Sequence, residues 1–342
     1  MTWSRRLKLR MTSLPAQMLN STARDRRAVI ALSEGADPRI VEGACAAEAR
    51  GLADIILVGS EGAVSEALAA QGETPRATLR IMDPQDSPLS ESFAAEYHWL
   101  RSKRGVDLEA ARAAVRDPLV FSAMLVRLGH ADGTVGGAVA ATSDVVRAAL
   151  QVIGKAEDTA LVSSFFLMYP PEGAGRPMLY SDCGLVIDPS PEDMVSIAAQ
   201  SARSFTVLMQ ATPKVAMLSF STKGSARHAA VDKVSQAARA FAEAHPDVVS
   251  DGELQFDAAF VPSVSEAKAP GSPVAGEANV MIFPNLDAGN IAYKITQRLG
   301  GYVAIGPVLQ GLARPANDLS RGCVASDVTQ MIAVTALQAA DG

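Results

Sequence analysis

The sequence predicts an α/β fold of two α/β lobes with a cleft between them. Short apolar runs alternate with amphipathic stretches, as parallel strands joined by crossover helices require. The chain of 342 residues exceeds one ordinary core and suits two domains. No fixed-period repeat or low-complexity linker interrupts the alternation. Lobe I is expected over residues 1–150 plus 312–342, and lobe II over residues 151–311. Open α/β sheets bind ligands beyond the carboxyl ends of their strands, so the cleft between the lobes is the expected site.

The elements follow in order. RRAVIAL reads as a strand, SEGADPR as a turn, and IVEGACAAEARG as a helix ending at Gly51. ADIILVG and ATLRIMD read as the next strands, and SESFAAEYHWLRSKRG as a helix. DLEAARAAVRDPLVFSAMLVRLG carries one or two more helices. In the second lobe ALVSSFFLMY, GLVIDPS, KVAMLSFS, VVSDGEL and ANVMIFPN read as strands, and YVAIGPVL as a late strand. PEDMVSIAAQSARSFTVLM, HAAVDKVSQAARAFAEAHP and AGNIAYKITQRLG read as helices, and a final helix closes the chain and returns to lobe I.

Composition excludes several function classes. The net charge of −6 and pI near 5.4 lack the basic face of a nucleic-acid binder, and 5% aromatic residues offer few stacking platforms. The three cysteines, Cys45, Cys183 and Cys323, are widely spaced and odd in number, which suits a reducing compartment. None of His98, His130, His228 and His245 stands at metal-ligand spacing, so no metal site is expected. The basic start MTWSRRLKLRMTSLPAQML lacks the apolar core of a secretory signal and is read as a frayed N-terminus or an early start codon rather than a transit peptide. The run ALVSSFFLMY is too short to cross a membrane. A cytoplasmic protein is expected.

Three segments carry candidate chemistry. In GHADGTVGGAVAATSDVVRAAL, glycines 129, 133, 136 and 137 permit close backbone approach, as a structural turn or as an anion cradle. Thr142, Ser143 and Asp144 are good caps for the helix that follows. Arg147 lies among apolar neighbours and needs either an ion pair or a place in a cleft. Arg101 sits with Lys103 and Arg104 at what pattern alone reads as a solvated helix end. In PNLDAGNIAYKITQRLGG, Asn285 or Asp287 caps a helix. No dinucleotide fingerprint or P-loop is present.

The closing segment GPVLQGLARPANDLSRGCVASDVTQMIAVTALQ carries most. Ser320, Arg321 and Asp327 fall within eight positions. Gly322 lets the backbone approach a ligand, and Ser326 is a plausible N-cap that places Asp327 in the first helical turn. A hydroxyl donor, a guanidinium and a carboxylate there suit acyl transfer to or from phosphate. The plain alternative is a loop hydroxyl and a carboxylate complementing the helix dipole, worth about 0.3–1 kcal/mol.

The segments EGADPR, EYHWLRSKRG, GHADGTVGGAVAATSDVVRAALQVIG, VSSFFLM, PNLDAGNIAYKITQRLGG and GPVLQGLARPANDLSRGC resemble the phosphate acetyltransferase (phosphotransacetylase) family in its short form, in the family's order and from about residue 26 onward. The resemblance implies two lobes similar to the isocitrate/isopropylmalate dehydrogenase type, usually as a homodimer. It implies exchange of an acetyl group between coenzyme A and phosphate, with acetyl-CoA as substrate and no tightly bound cofactor. It places the family's catalytic groups on Ser320, Arg321 and Asp327, and substrate arginines on Arg101 and Arg147. Thr142, Ser143 and Gly322 join them as binding positions. Ser33 and Ala148 stand where prolines are common in the family, and VASD replaces a more acidic run.

In the implied mechanism Asp327 takes the coenzyme A thiol proton, Ser320 donates to the oxyanion, and Arg321 holds the phosphate. A normal carboxylate lies so far below a thiol that full proton transfer is uphill by roughly 6 kcal/mol. A helix start and Arg321 are expected to lower Asp327 further. Two other readings stay open: a butyryl- or propanoyl-specific relative, and a non-catalytic acetyl-CoA sensor.

Overall fold

The computed structural model describes residues 27–157, 159–171 and 175–341. The basic start falls outside the described residues. The chain divides into two compact units, Met1–Glu157 with Leu312–Gly342, and Asp158–Gly311. The first unit opens with β1 (Val29–Leu32), α1 (Pro38–Ala49), β2 (Asp54–Val58), α2 (Glu61–Ala70), β3 (Leu79–Met82), α3 (Ser90–Arg101), α4 (Leu108–Ala114), α5 (Pro118–Arg127), β4 (Gly133–Gly136) and α6 (Thr142–Val152). The second holds β5 (Ser163–Tyr169), β6 (Met178–Ser181), α7 (Pro191–Met209), β7 (Lys214–Leu218), α8 (Ala229–Ala244), β8 (Val249–Leu254), α9 (Phe256–Phe260), α10 (Pro262–Lys268), β9 (Val280–Ile282), α11 (Leu286–Arg298) and β10 (Val303–Gln310). The chain then returns to the first unit with β11 (Ala316–Asp318) and α12 (Ala325–Ala339).

Local chemistry sets the helix starts. Asp37 accepts the Arg39 amide at 2.9 Å ahead of Pro38, and Asp117 accepts the amides of Leu119 and Val120 ahead of Pro118. Each proline occupies a first-turn position whose amide has no helical partner. Asp117 thereby divides the DLEAARAAVRDPLVF stretch into two helices. Of the two candidates Asn285 and Asp287, Asn285 caps α11 through the Ala288 amide at 3.0 Å.

The first unit's sheet has the order β11-β4-β1-β2-β3, with every pair parallel. Strand order reverses between β1 and β4, so the turns after these strands flank the switch point where open sheets bind ligands. Phe93, Tyr97, Phe121 and Met124 fill the core on one face, each side chain contributing about 1.5–3 kcal/mol when fully buried. The last helix lies on this unit. Gly43 of α1 passes so near α12 that a Cβ there would meet Ala325 O and Val328 Cβ at 2.6 Å, and Thr329 donates to Gly43 O at 3.0 Å.

The second unit's sheet runs β10-β5-β6-β9-β7-β8; β6, β9, β7 and β8 are parallel, while β5 opposes both β10 and β6. All residues of β5 are buried, as befits an internal strand covered on both faces.

Three strand expectations change. GLVIDPS is not a strand; the strand is the preceding Met178–Ser181. The Asp182 carboxylate draws in the amides of Gly184 at 2.7 Å and Leu185 at 2.9 Å, which turns the chain away from the sheet. GTVG and AND are strands that the apolar pattern did not announce. β4 must be glycine-rich because it is pressed from both sides. A Cβ on Gly133 would lie 2.5 Å from Thr335 Cγ2, and one on Gly136 would lie 2.2 Å from Ser33 Oγ.

Candidate active site

Three loops leave the carboxyl ends of β1, β4 and β11, which are neighbours in the first unit's sheet or separated by one strand at most. Hydrogen bonds join them. From the turn after β1, the Glu34 carboxylate accepts the amides of Ala138 at 2.7 Å, Val139 at 2.9 Å and Ala140 at 2.7 Å. The glycine-rich segment thus does form a cradle for an anion, and the protein's own carboxylate fills it.

Arg39 links all three loops. It pairs with Asp37 at 2.8 Å and donates to Ala138 O at 2.7 Å, Arg321 O at 2.7 Å and Cys323 O at 3.3 Å. The hydrogen bond from Arg39 holds the Asp37 carboxyl below its ordinary range.

Asp318 closes β11. Its Oδ2 accepts the Thr142 hydroxyl at 2.6 Å, while Oδ1 is buried with no partner among the described residues. Burial pushes its pKa up to about 6; the Thr142 bond opposes the rise and the Glu34 charge adds to it. Thr142 is therefore committed to the protein through its hydroxyl. It begins α6 after Ala141, which supplies no side-chain cap. Ser143 is exposed beside it, and its hydroxyl has no hydrogen bond among the described residues. Arg147, on the same helix, is paired with Asp144 at 2.6 Å and both remain about half exposed.

The β11–α12 loop is a tight turn. Cys323 N donates to Ser320 O at 2.8 Å, and Gly322 N donates to Ser320 Oγ at 3.2 Å. Because Ser320 Oγ is the acceptor, its proton stays available for a ligand. Ser320, Arg321 and Gly322 are exposed. The Arg321 guanidinium has no ion pair among the described residues, while its carbonyl is anchored by Arg39.

Two expectations at Asp327 are corrected. The N-cap of α12 is Val324, not Ser326, because the helix starts at Ala325. Asp327 reaches back to accept the Val324 amide at 3.0 Å, and its own amide donates to Val324 O at 2.9 Å. Its pKa is raised, not lowered: burial dominates, and the Val324 bond only partly offsets it. Cys323, buried nearby, has its thiol pushed up by burial first and by the Asp327 charge among others.

Arg101 lies on a different helix from Arg147. It ends α3, and its Nε is buried with no partner among the described residues. Leu119, at the start of α5, lies against Gly136 at the carboxyl end of β4. Arg127, at the other end of α5, pairs with Glu96 of α3 at 2.9 Å and donates to Val152 O, the last residue of α6. Tyr97 bonds Gln151 at 3.2 Å. Glu96 and Tyr97 of α3 thus lie beside the far end of α6, about 14–15 Å along that helix from Thr142. The described residues contain no group of His, Cys, Asp and Glu suited to a metal.

The family described as phosphate acetyl/butaryl transferase matches residues 16–336. The chain belongs to this family. A phosphate acetyltransferase of Thermoanaerobacterium thermosaccharolyticum is 45% identical over 326 residues, covering 94% of this chain and 98% of that protein. A phosphotransacetylase structure from Streptococcus pyogenes superposes with a TM-score of 0.90 at 39% identity, over 97% of this chain and 100% of that one. The fold alone is shared with 4-hydroxythreonine-4-phosphate dehydrogenase from Klebsiella pneumoniae, at a TM-score of 0.53 and 13% identity over 92% of this chain and 99% of that one.

Within the family frame, three site-building residues escaped the sequence reading: Glu34, Arg39 and Asp318. Glu34 and Arg39 lie in EGADPR, read as a turn and as a segment of the family resemblance, with no site role given to either residue. Their signal was a carboxylate and an arginine at the carboxyl end of the first strand, opposite a glycine-rich loop. Asp318 directly precedes the Leu-Ser-Arg-Gly run and was read as part of the loop.

Proposed function

We propose that this chain transfers an acetyl group reversibly between coenzyme A and phosphate, by direct attack within a complex of both substrates. The observation that carries it is the turn from Ser320 to Val324, which holds an exposed arginine with no ion pair among the described residues and leads into Asp327, a half-buried carboxylate with a raised pKa. Membership of the family and the activity in its relatives' names support the reading.

In one direction the thiol of coenzyme A attacks the carbonyl carbon of acetyl phosphate, and the C–O bond to phosphate breaks. Asp327 is the base that takes the thiol proton. The rise in its pKa narrows the gap to a thiol and makes it a better acceptor than an exposed aspartate. Ser320 donates its free proton to the developing oxyanion, a contribution of a few kcal/mol for a well-aimed donor. Arg321 holds the phosphate by a charge-assisted pair of hydrogen bonds. In reverse, a phosphate oxygen attacks the thioester and the thiolate leaves. Ser143 and Gly322 line the binding surface, Thr142 sets its frame through Asp318, and Arg147 adds a cation on exchanging its Asp144 partner. Arg101, at the end of α3, adds a further cation for the phosphate or coenzyme A. The scheme uses no tightly bound cofactor.

We further infer a homodimer formed through the second unit. Ile291, Ile295 and Leu299 recur every fourth position on α11 and its end, with exposures of 57%, 53% and 85%. Ile187, 74% exposed, lies at the start of that helix, where its carbonyl accepts the Leu286 amide. An apolar stripe of this kind suits a partner surface. The three free cysteines support a cytoplasmic location, and no helix among the described residues is long and apolar enough to cross a membrane.

The direct test follows free thiol after mixing the protein with acetyl-CoA and inorganic phosphate, then with butyryl-CoA. Phosphate-dependent release, faster from acetyl-CoA, is expected. Preference for butyryl-CoA would overturn the acyl assignment, and no release from either would leave the sensor reading.

A further inference from the structure

We propose that Glu34 is a positioning residue: an internal anion that organises the loop before α6 and keeps substrate phosphate out of it. The proposal rests on the acyl-transfer reading above. Three successive amides, 138 to 140, point at one carboxylate, and both of its oxygens are used. A row of converging amides at the switch point of an open sheet is an anion site. Left empty, it would compete with Arg321 for phosphate.

The carboxylate is presented from a rigid turn. Gly35 N donates to Val58 O at 3.0 Å. A Cβ on Gly35 would meet Leu57 and Val58 backbone atoms at 3.0 Å, so this turn is pressed onto β2. The loop that Glu34 holds is coupled to the loop bearing Arg321, because the same Arg39 guanidinium bonds Ala138 O and Arg321 O, each at 2.7 Å. On the other side, Asp318 holds Thr142 at 2.6 Å. The segment from Gly137 to Thr142 is therefore held between two internal carboxylates. Freeing the Glu34 end loosens the start of α6 and the anchor of the Arg321 backbone together. Bound where it is, Glu34 leaves an incoming phosphate only the exposed cations.

The test uses the full chain and two variants, Glu34→Ala and Glu34→Gln, in the phosphate-dependent thiol-release assay. Amide hydrogen exchange is read at residues 138–140 in parallel. Glu34→Ala is expected to lose at least tenfold in kcat and to raise KM for phosphate. Added formate should restore activity several-fold in that variant and not in the wild type, while chloride at equal ionic strength restores nothing. Glu34→Gln should stay low without rescue, since its amide group turns N–H toward N–H and still fills the space. Exchange at 138–140 should rise at least tenfold in both variants and fall again with formate in Glu34→Ala only. Variant activity within twofold of wild type, unchanged exchange, or a loss in Glu34→Ala that formate does not touch would overturn the proposal. An inactive wild type would instead overturn the acyl-transfer reading on which it depends.

Discussion

The carboxylate of Asp318 accepts the Thr142 hydroxyl at 2.6 Å through one oxygen and buries the other without a partner among the described residues. A buried carboxylate so placed favours its neutral form, and its pKa rises from 3.8 to about 6. The sign of the linkage follows. The folded state binds this proton more tightly than the unfolded state, so the stabilising contribution is full below 3.8 and is lost as pH rises through about 6. Asp318→Asn keeps an acceptor for Thr142 and removes the buried charge. It should raise Tm at pH 7.5, by a gain approaching about 3 kcal/mol, and give little gain at pH 4. Thermal melts across this range check it; an equal shift at both pH values would contradict it.

Asp327 has the opposite task, since as a base it must be ionised to act. Burial raises its pKa, so the thiol-attack rate should fall as pH drops through that raised value. Asp327→Asn should lower kcat in this direction by about 10²–10⁴-fold and remove the acidic limb of the profile. A variant with an unchanged rate and profile would show that another group takes the proton.

Gly137 is the one glycine in the site that its backbone requires. It has φ +98°, and a Cβ there would stand 2.1 Å from Asp318 Oδ1 and 2.8 Å from Leu319 O. Gly137→Ala should destabilise the protein by about 1–3 kcal/mol from the strained φ alone, with loss of activity from displacing Asp318. Denaturant titration beside the thiol assay measures both. Wild-type values would mean that the loop relaxes without harm.

Direct attack predicts that no acetyl-enzyme accumulates. Labelled coenzyme A should not exchange into acetyl-CoA without phosphate, and initial rates should show intersecting rather than ping-pong lines. Exchange in the absence of phosphate would require a covalent intermediate.

Much of the fold was legible because its apolar runs have clean periods. Pro191–Met209 and Ala229–Ala244 carry their own caps and amphipathic spacing, and β5 is apolar over most of its length. The strands that build the site were not legible. β4 is GTVG because neighbours leave no room for side chains at Gly133 and Gly136, so crowding at its two ends weakened the β-propensity that marks a strand. Ser320, Arg321 and Asp327 could be found because they share one short segment. Glu34, Arg39 and Asp318 could not, since their importance lies in bonds across more than 100 positions of chain, such as Glu34 to Ala138 and Arg39 to Arg321. The direction of the Asp327 shift was misjudged for a related reason. Helix start and arginine are visible in sequence, whereas burial is a property of packing.

Arg321 joins these lines, with its backbone tied by Arg39 and its guanidinium, in an exposed turn, without an ion pair among the described residues. The most direct measurement compares phosphate-dependent thiol release from acetyl-CoA by the wild type and by Arg321→Ala. The account predicts rapid release by the wild type and a loss of roughly 10²–10³-fold in kcat/KM in the variant, about 3–4 kcal/mol of transition-state stabilisation. Release by Arg321→Ala at the wild-type rate, or none by the wild type, would contradict it.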